Sequence, residues 1–267
     1  MKKAFVNALP KSGTNLLAKC LLLFGYRERG HISAGVILDR RIANLFRRLT
    51  WGAKTGGYVV GIFTPVGMKR RPIDSCLLRV RNGEFITGHV GYSQEILQKI
   101  LGIDIAPIQV IRDPRAILAS FVPYVLSDNR HFLNKIFKSV SKNERYKMAY
   151  DGFVQSGLVH RSLRDSCLSI DPWMESKDVC VVKYEEIVGG QGGGSDVERV
   201  EALQRVARFL SIPEERIASV EKNLYGPGRH TFRKGKIDSW KAELPRLLSE
   251  RISIEMEDVI KKWGYSI

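Results

Sequence analysis

The chain has 267 residues, 44% of them hydrophobic, enough for one sizeable core and ordinary for one α/β domain. Its 43 Lys and Arg against 28 Asp and Glu leave a formal charge of +15, which favours anionic partners: nucleotide, nucleic acid, anionic lipid or sulfated glycan. The apolar runs are too short for a membrane span. Pro10, Lys11 and Lys19 interrupt the stretch after Met1-Lys2-Lys3 and exclude a signal peptide, and Cys20, Cys76, Cys167 and Cys180 form no Cys-x-x-Cys pair or Cys/His cluster. We therefore expect a cytoplasmic chain with reduced thiols and no zinc site.

In chain order, residues 4–9 read as a buried first strand, and residues 13–24 as an apolar helix closed by Gly25. Between them lies Pro10-Lys11-Ser12-Gly13-Thr14-Asn15. Strand, tight loop and helix in this order leave free backbone N–H groups at a helix N-terminus beside a lysine, a site for phosphate or sulfate. The loop is not a Walker A loop, because Lys11 precedes Gly13 rather than following the last glycine. Residues 26–35 read as a polar loop holding Glu28 and His31.

From Asp39 to Trp51, Ile42, Leu45, Phe46 and Leu49 recur at helical spacing among Arg40, Arg41, Arg47 and Arg48. This basic amphipathic helix either packs one face on the core or meets a lipid or amphiphilic acceptor. Residues 52–83 mix glycine, proline and basic residues. They are expected to be irregular, with a strand near 58–63, as substrate walls and lids often are. Phe85-Ile-Thr-Gly-His89-Val reads as a second core strand, and Ser93 as the N-cap of a helix through Leu101.

Pro107 to Ile111 is a third buried strand, running into Arg112-Asp113-Pro114-Arg115 and a helix from Ala116 to about Leu126. Residues 130–138 and 143–169 read as helical. Asp178 to Tyr184 is a fourth strand, and Gly189 to Ser195 a flexible glycine-rich loop. Helices follow at 196–210 and 213–223. A loop at 225–239 carries Arg229, His230, Arg233, Lys234 and Lys236, and an amphipathic helix over 245–262 closes the chain. Strands alternating with helices predict an α/β fold, a mainly parallel central sheet with helices on both faces, as a single domain over 1–267. Ligands of such sheets bind at the carboxyl ends of the strands, where the Lys11 loop, His89, Arg112 and Tyr184 all fall.

Three stretches belong together: the Pro10–Asn15 loop; Arg112-Asp113-Pro114-Arg115-Ala-Ile-Leu-Ala-Ser120, with the serine eight positions after the arginine; and Phe232-Arg233-Lys234-Gly235, followed by Trp240. In this order they resemble the nucleotide-binding motifs of sulfotransferases that use 3′-phosphoadenylyl sulfate (PAPS), with a P-loop nucleotide-kinase-like fold. The resemblance implies that Lys11, Ser12, Gly13, Thr14 and Asn15 wrap the 5′-phosphate. It implies that Arg112, Ser120, Arg233, Lys234 and Gly235 hold the 3′-phosphate, and that Tyr184 lies near the adenine. PAPS would be the donor, 3′-phosphoadenosine 5′-phosphate (PAP) the product, and no metal would be needed.

Within the same resemblance, Lys11 stabilises charge on the leaving phosphate and His89, in Thr-Gly-His-Val, is the general base. Asp39 and Glu28 are the alternative bases, since some branches use a carboxylate soon after the first helix. The sequence departs from the cytosolic branch at three places. Leu16 replaces an adenine-stacking tryptophan, Thr87-Gly88 a Lys-Thr pair, and Asp238-Ser239 a Gly-Asp pair. A P-loop kinase and a non-enzymatic polyanion- or nucleic-acid-binding module remain as other readings. There is no helix-turn-helix, RNP-type or zinc-finger signature, so no specific nucleic-acid partner is expected. The acceptor, whether small molecule, lipid or glycan, is not legible. The basic, partly apolar segment 39–71 hints at an anionic or amphiphilic one, with a peripheral contact to an anionic membrane.

Overall fold

The computed structural model describes residues 1–37, 40–49, 57–226 and 235–267. Strand β1 (Lys3–Ala8), buried beyond its first residue, leads through the Lys11 loop to helix α1 (Thr14–Leu23). Then come β2 (Arg27–Ile32), α2 (Ala34–Ile37), α3 (Arg40–Leu49), the antiparallel pair β3 (Tyr58–Val60) and β4 (Val66–Met68), and α4 (Arg70–Leu78). The middle of the chain forms β5 (Glu84–Gly88), α5 (Gln94–Gly102), β6 (Ile105–Ile111), α6 (Pro114–Ser127), α7 (Asn134–Lys138) and α8 (Lys142–Asp151). A hairpin of β7 (Phe153–Gln155) and β8 (Leu158–His160) precedes α9 (Leu163–Leu168), α10 (Asp171–Glu175) and β9 (Cys180–Lys183). Helices α11 (Tyr184–Val188), α12 (Asp196–Leu210), α13 (Ile217–Leu224), α14 (Trp240–Glu243), α15 (Arg246–Glu255) and α16 (Glu257–Lys262) follow.

The main sheet runs β2-β5-β1-β6-β9, with every pairing parallel. Period-two alternation splits β1 between two cores. Phe5 joins a cluster with Ile32, Ile86 and Trp173, while Ala4, Val6 and Ala8 join one with Leu17, Leu21, Val182 and Leu203. The chain adds β2 and β5 on one side of β1 and β6 and β9 on the other. The carboxyl end of β1 is therefore a topological switch point, where α/β sheets open a crevice. Asn7 makes that end rigid: buried, it bonds Gln109 Oε1 at 2.9 Å and both main-chain groups of Val90 at 2.9 Å. Removing one partner would leave a buried group unpaired, at about 1–3 kcal/mol.

Several expectations are corrected. Residues 27–32 are the edge strand β2, not loop. An edge strand has one neighbour, so it tolerates Arg27, Glu28, Arg29 and His31 while its main chain still pairs with β5. The 52–83 stretch contains the expected strand at Tyr58 but also α4, which buries Ile73 and Leu77 one turn apart and carries Pro72 in its first turn, where no donor is missed. The helix expected over 143–169 stops at Gly152. The chain then turns at Ser156-Gly157, both at positive φ (49° and 77°), the signature of a tight hairpin. The closing helix breaks at Met256 into α15 and α16.

Nor is Gly189–Ser195 a flexible loop. The Gly192 and Gly194 N–H groups both donate to the Gly189 carbonyl, at 3.0 and 2.9 Å, and Gly190 N–H donates to Asp196 Oδ1 at 2.8 Å. Gly192 is needed because the chain carrying Gly235 lies directly on it. A Cβ there would stand 2.5 Å from the Gly235 oxygen and 2.3 Å from Val188 Cγ2, and the Gly192 carbonyl accepts from Ile237 N–H at 3.0 Å. The substitution Gly192→Ala should therefore cost about 1–3 kcal/mol. That lowers the melting temperature by several degrees, and hydrogen exchange of the Ile237 amide should accelerate. An unchanged melt with a protected Ile237 amide would show the contact to be dispensable.

Candidate functional site

The Lys11 loop is built to leave donors free. Lys11 and Gly13 both take positive φ, 73° and 105°, and Ser12 N–H returns to the Leu9 carbonyl at 3.1 Å. For a lysine this conformation costs of the order of 1 kcal/mol. Gly13 is also packed against an aromatic ring: a Cβ would lie 2.7 Å from Tyr184 Cδ2. The Ser12 and Thr14 hydroxyls are buried and find no hydrogen-bond partner among the described residues. Buried polar groups without partners are uncommon, and two together at a helix N-terminus mark a place prepared for an acceptor.

Arg112 follows β6 at the same rim, beside that loop. Its guanidinium donates to the Lys11 carbonyl at 3.2 Å and to the Lys236 carbonyl at 3.3 Å, and lies 4.2 Å over the Tyr184 ring. It does not pair with Asp113. That carboxylate caps α6 and is held by Arg115 at 2.7 Å, which is itself sandwiched against Trp240. Glu185, the other acid nearby, accepts from Tyr265 Oη at 2.7 Å, and burial raises its pKa. Tyr184 is buried where β9 ends, and Gly235, at φ 64°, stands next to Lys236. Arg233 and Lys234 lie outside the described residues.

His89 sits just past β5, and every main-chain neighbour fixes it. Its Nδ1 donates to the Ala8 carbonyl at 2.7 Å, its own carbonyl accepts from Gly61 N–H at 2.8 Å, and Val90 is held by Asn7. With Nδ1 protonated, Nε2 carries the lone pair. Burial, then the nearby His31 and Lys11, push the His89 imidazole down to about 3, so it is neutral at physiological pH. His31 stands edge-on to it, ring centroids 5.1 Å apart, with Nδ1 2.8 Å from Thr87 Oγ1.

One cavity of about 570 Å³ gathers these groups. Lys11, Gly13, Thr14, Asn15, His89, Arg112, Ser120, Tyr184 and Gly235 all line it, with Ser12 buried in the loop behind. Glu28 lines it too, as does Leu16, while Asp39 lies outside the described residues. Sequence reasoning missed the groups of the far wall, among them Arg47, Thr64 and His131. The signal for Arg47 was its place on a strongly amphipathic helix, but the period alone does not say which face turns inward. No helix among the described residues is long and apolar enough to cross a membrane. All four cysteines are free, and Cys20 and Cys180 are buried as small core residues.

The model of the sulfotransferase domain family matches residues 1–264. The chain belongs to the sulfotransferase family. It is an enzyme of the PAPS-dependent class that its three motifs imply. Solved structures share the fold of this sulfotransferase. A mouse sulfotransferase, SULT7A1, complexed with PAP aligns over 97% of this chain and 85% of its own, at 15% identity and a TM-score of 0.62. A retinol dehydratase in complex with androsterone and PAP aligns over 99% and 82%, at 14% identity and a TM-score of 0.61. Curated proteins provide no match.

Four histidines among the described residues should govern stability in mild acid. Burial pushes His31 and His131 down to about 4, and His89 and His160 down to about 3. Unfolded, each titrates near 6.5. Below that pH the unfolded chain binds protons that the folded one refuses, so stability present above about pH 6.5 is lost as the pH falls toward the folded values. The melting temperature should drop steeply between pH 7 and 5. Asp258, held down to about 2 by Arg164, acts only at lower pH. A flat melting temperature across that window would contradict the neutral histidines.

Proposed function

We propose that the enzyme moves the sulfuryl group of PAPS to a hydroxyl or amine of a small-molecule, lipid or carbohydrate acceptor. Lys11 and the Ser12–Asn15 turn take the 5′-phosphosulfate. Arg112, Ser120 and the 233–235 segment take the 3′-phosphate, and Tyr184 lies beside the adenine. One observation carries this reading: the Arg112 guanidinium bonds the carbonyls of both Lys11 and Lys236, so the two expected anion sites stand on one cavity. The residues present suit a phosphate at the first site, since Ser12 and Thr14 offer buried hydroxyls with no other described partner. Arginine supplies the planar fork that the second site needs.

When bound, the donor supplies an activated sulfuryl group whose in-line transfer sends charge onto the leaving phosphate oxygen. Lys11 stands at the loop edge to stabilise that charge, with its ammonium 4.5 Å from the Tyr124 ring centre. His89 takes the acceptor's proton on Nε2 while Nδ1–H stays on the Ala8 carbonyl, so the ring cannot rotate away as it acts. Charge on His89 is disfavoured first by burial and then by His31 and Lys11, and an anionic nucleotide beside it opposes that penalty.

PAP should raise the melting temperature of the enzyme, and labelled PAPS should transfer its sulfuryl group in an acceptor screen. His89→Ala should keep PAP binding and lose about 10²–10⁴ in turnover. Arg112→Ala should weaken PAP at least about tenfold, the weight of a charge-assisted hydrogen bond. Undiminished turnover in His89→Ala, with Glu28→Gln inactive, would move the base to Glu28.

We also propose that α3 rests on an anionic bilayer. Ile42, Leu45 and Phe46 are exposed on this helix, as is Val36 on α2, alongside Arg41. Vesicles rich in anionic lipid should co-sediment the enzyme, zwitterionic ones should not, and Leu45→Asp with Phe46→Asp should abolish the effect. Absence of sedimentation at low salt would remove the membrane from this reading.

A further inference from the structure

Helix α3 is turned the wrong way round for the hydrophobic effect acting alone. Its apolar residues Ile42 and Leu45 are 47% and 54% exposed, while Asn44 and Arg47 line the cavity. Taking an arginine out of water costs free energy whatever the outward apolar residues meet. Such an orientation persists where the inward cation has a task.

The surroundings of Arg47 define the task. Its guanidinium lies 4.2 Å over the Phe132 ring, and Nη1 donates to Asn44 Oδ1 at 2.7 Å. Its Nε is buried without a partner among the described residues. Burial lowers its pKa to about 10, so it keeps its charge at neutral pH. The acid on this wall is Asp128, which is engaged with Arg130 at 3.6 Å and accepts the Arg130 N–H at 2.9 Å. A run of rings joins Arg47 to the reacting end. Phe132 stacks on His131 with centroids 4.5 Å apart, His131 meets Tyr124 at 5.6 Å, and the Tyr124 ring carries the Lys11 ammonium. An occupant of this half thus meets aromatic faces along its length, a cation and His89 at one end, and a second cation at the other.

We infer that the acceptor is an amphipathic molecule with a nucleophilic hydroxyl at one end, an apolar body, and an anionic group (carboxylate, sulfate or phosphate) at the other, which Arg47 binds. The inference rests on the reading of this cavity as the acceptor site. It makes Arg47 a residue that selects the acceptor through ground-state binding, without a part in the transfer itself. The apolar body fits between aromatic faces, and the anion completes the hydrogen bonding of a guanidinium already held flat by Phe132 and Asn44.

The test uses ω-hydroxy carboxylic acids of graded chain length, each paired with its uncharged primary amide, on the full-length enzyme saturated with PAP. Binding is read by thermal shift and titration calorimetry, independently of turnover, so failure of the His89 assignment leaves this arm intact. At an optimal chain length the acid should bind at least about tenfold more tightly than its amide. Arg47→Gln should abolish that preference, and Arg47→Lys should retain part of it. PAP affinity should stay unchanged in both. With PAPS, the loss should fall on KM for the acid and leave kcat nearly unaltered. Equal binding of acid and amide by the wild-type enzyme would overturn the inference, even if Arg47→Gln does not fold. So would a preference that survives in Arg47→Gln. Loss of PAP binding as well would assign Arg47 to the nucleotide half instead.

Discussion

The site depends on one buried cation whose terminal nitrogens bond main chain instead of an acid. Taking a guanidinium out of water costs several kcal/mol unless its donors are bonded. Arg112 finds two carbonyls, those of Lys11 and Lys236, and the face of Tyr184, while its Nε is buried without a partner among the described residues. Carbonyls bond the guanidinium without cancelling its charge, so its field still reaches the cavity. A carboxylate in the same place would cancel it. Asp113, the very next residue, is taken by Arg115 within the first turn of α6, and Glu185, the acid that feels the Arg112 charge, is bonded to Tyr265 instead. Arg115 is in turn anchored by Trp240 and by the Ser266 carbonyl near the C-terminus. The end of the chain thus contributes to keeping one arginine free of a direct carboxylate pair.

Close approach is the second condition. Three segments meet at the rim: the Lys11 loop, the end of β9 and the chain from Gly235. Each junction is closed by a glycine with no room for a side chain, Gly13 against Tyr184 and Gly192 beneath Gly235. These contacts convert separate stretches into one wall, and Arg112 ties that wall together.

The donor half of the site was largely legible in the sequence, because its chemistry sits at strand ends and strand ends are marked by abrupt changes in composition. Lys11 comes just after six buried residues, Arg112 follows seven and His89 follows the five of β5, while Tyr184 follows the apolar β9. The parallel sheet was legible for the same reason: strands covered on both faces read as unbroken apolar runs. What failed was everything set by tertiary neighbours. The edge strand β2 is polar because it has one partner, which no local pattern announces. The β7–β8 hairpin is three residues a side and was masked by flanking helical sequence. The glycine run resembled a linker, whereas its glycines answer to steric demands from residues far along the chain. For α3 the period was legible but the inward face was not: a helical pattern names two faces without naming which one the core will take.

The two halves of the cavity follow different building rules, and His89 stands at their boundary. The nucleotide side is made from main chain and strand ends, which hold donors within tenths of an ångström. The far side is made from side chains of short helices and the β3–β4 turn, which vary more easily. A general base must serve both, since it has to stay aligned with the transferring group while accepting a proton from whatever acceptor arrives. The sulfotransferase meets this by bonding the His89 ring to the rigid side, through the Ala8 carbonyl and with Val90 held on Asn7, while the β3–β4 turn reaches only its main chain, through Gly61 N–H on the His89 carbonyl. His31, on β2 of the same sheet, stands edge-on to the imidazole. The acceptor specificity of such a scaffold can then change through residues such as Arg47 while the base keeps its alignment, because the bond that holds the His89 ring comes from the end of β1.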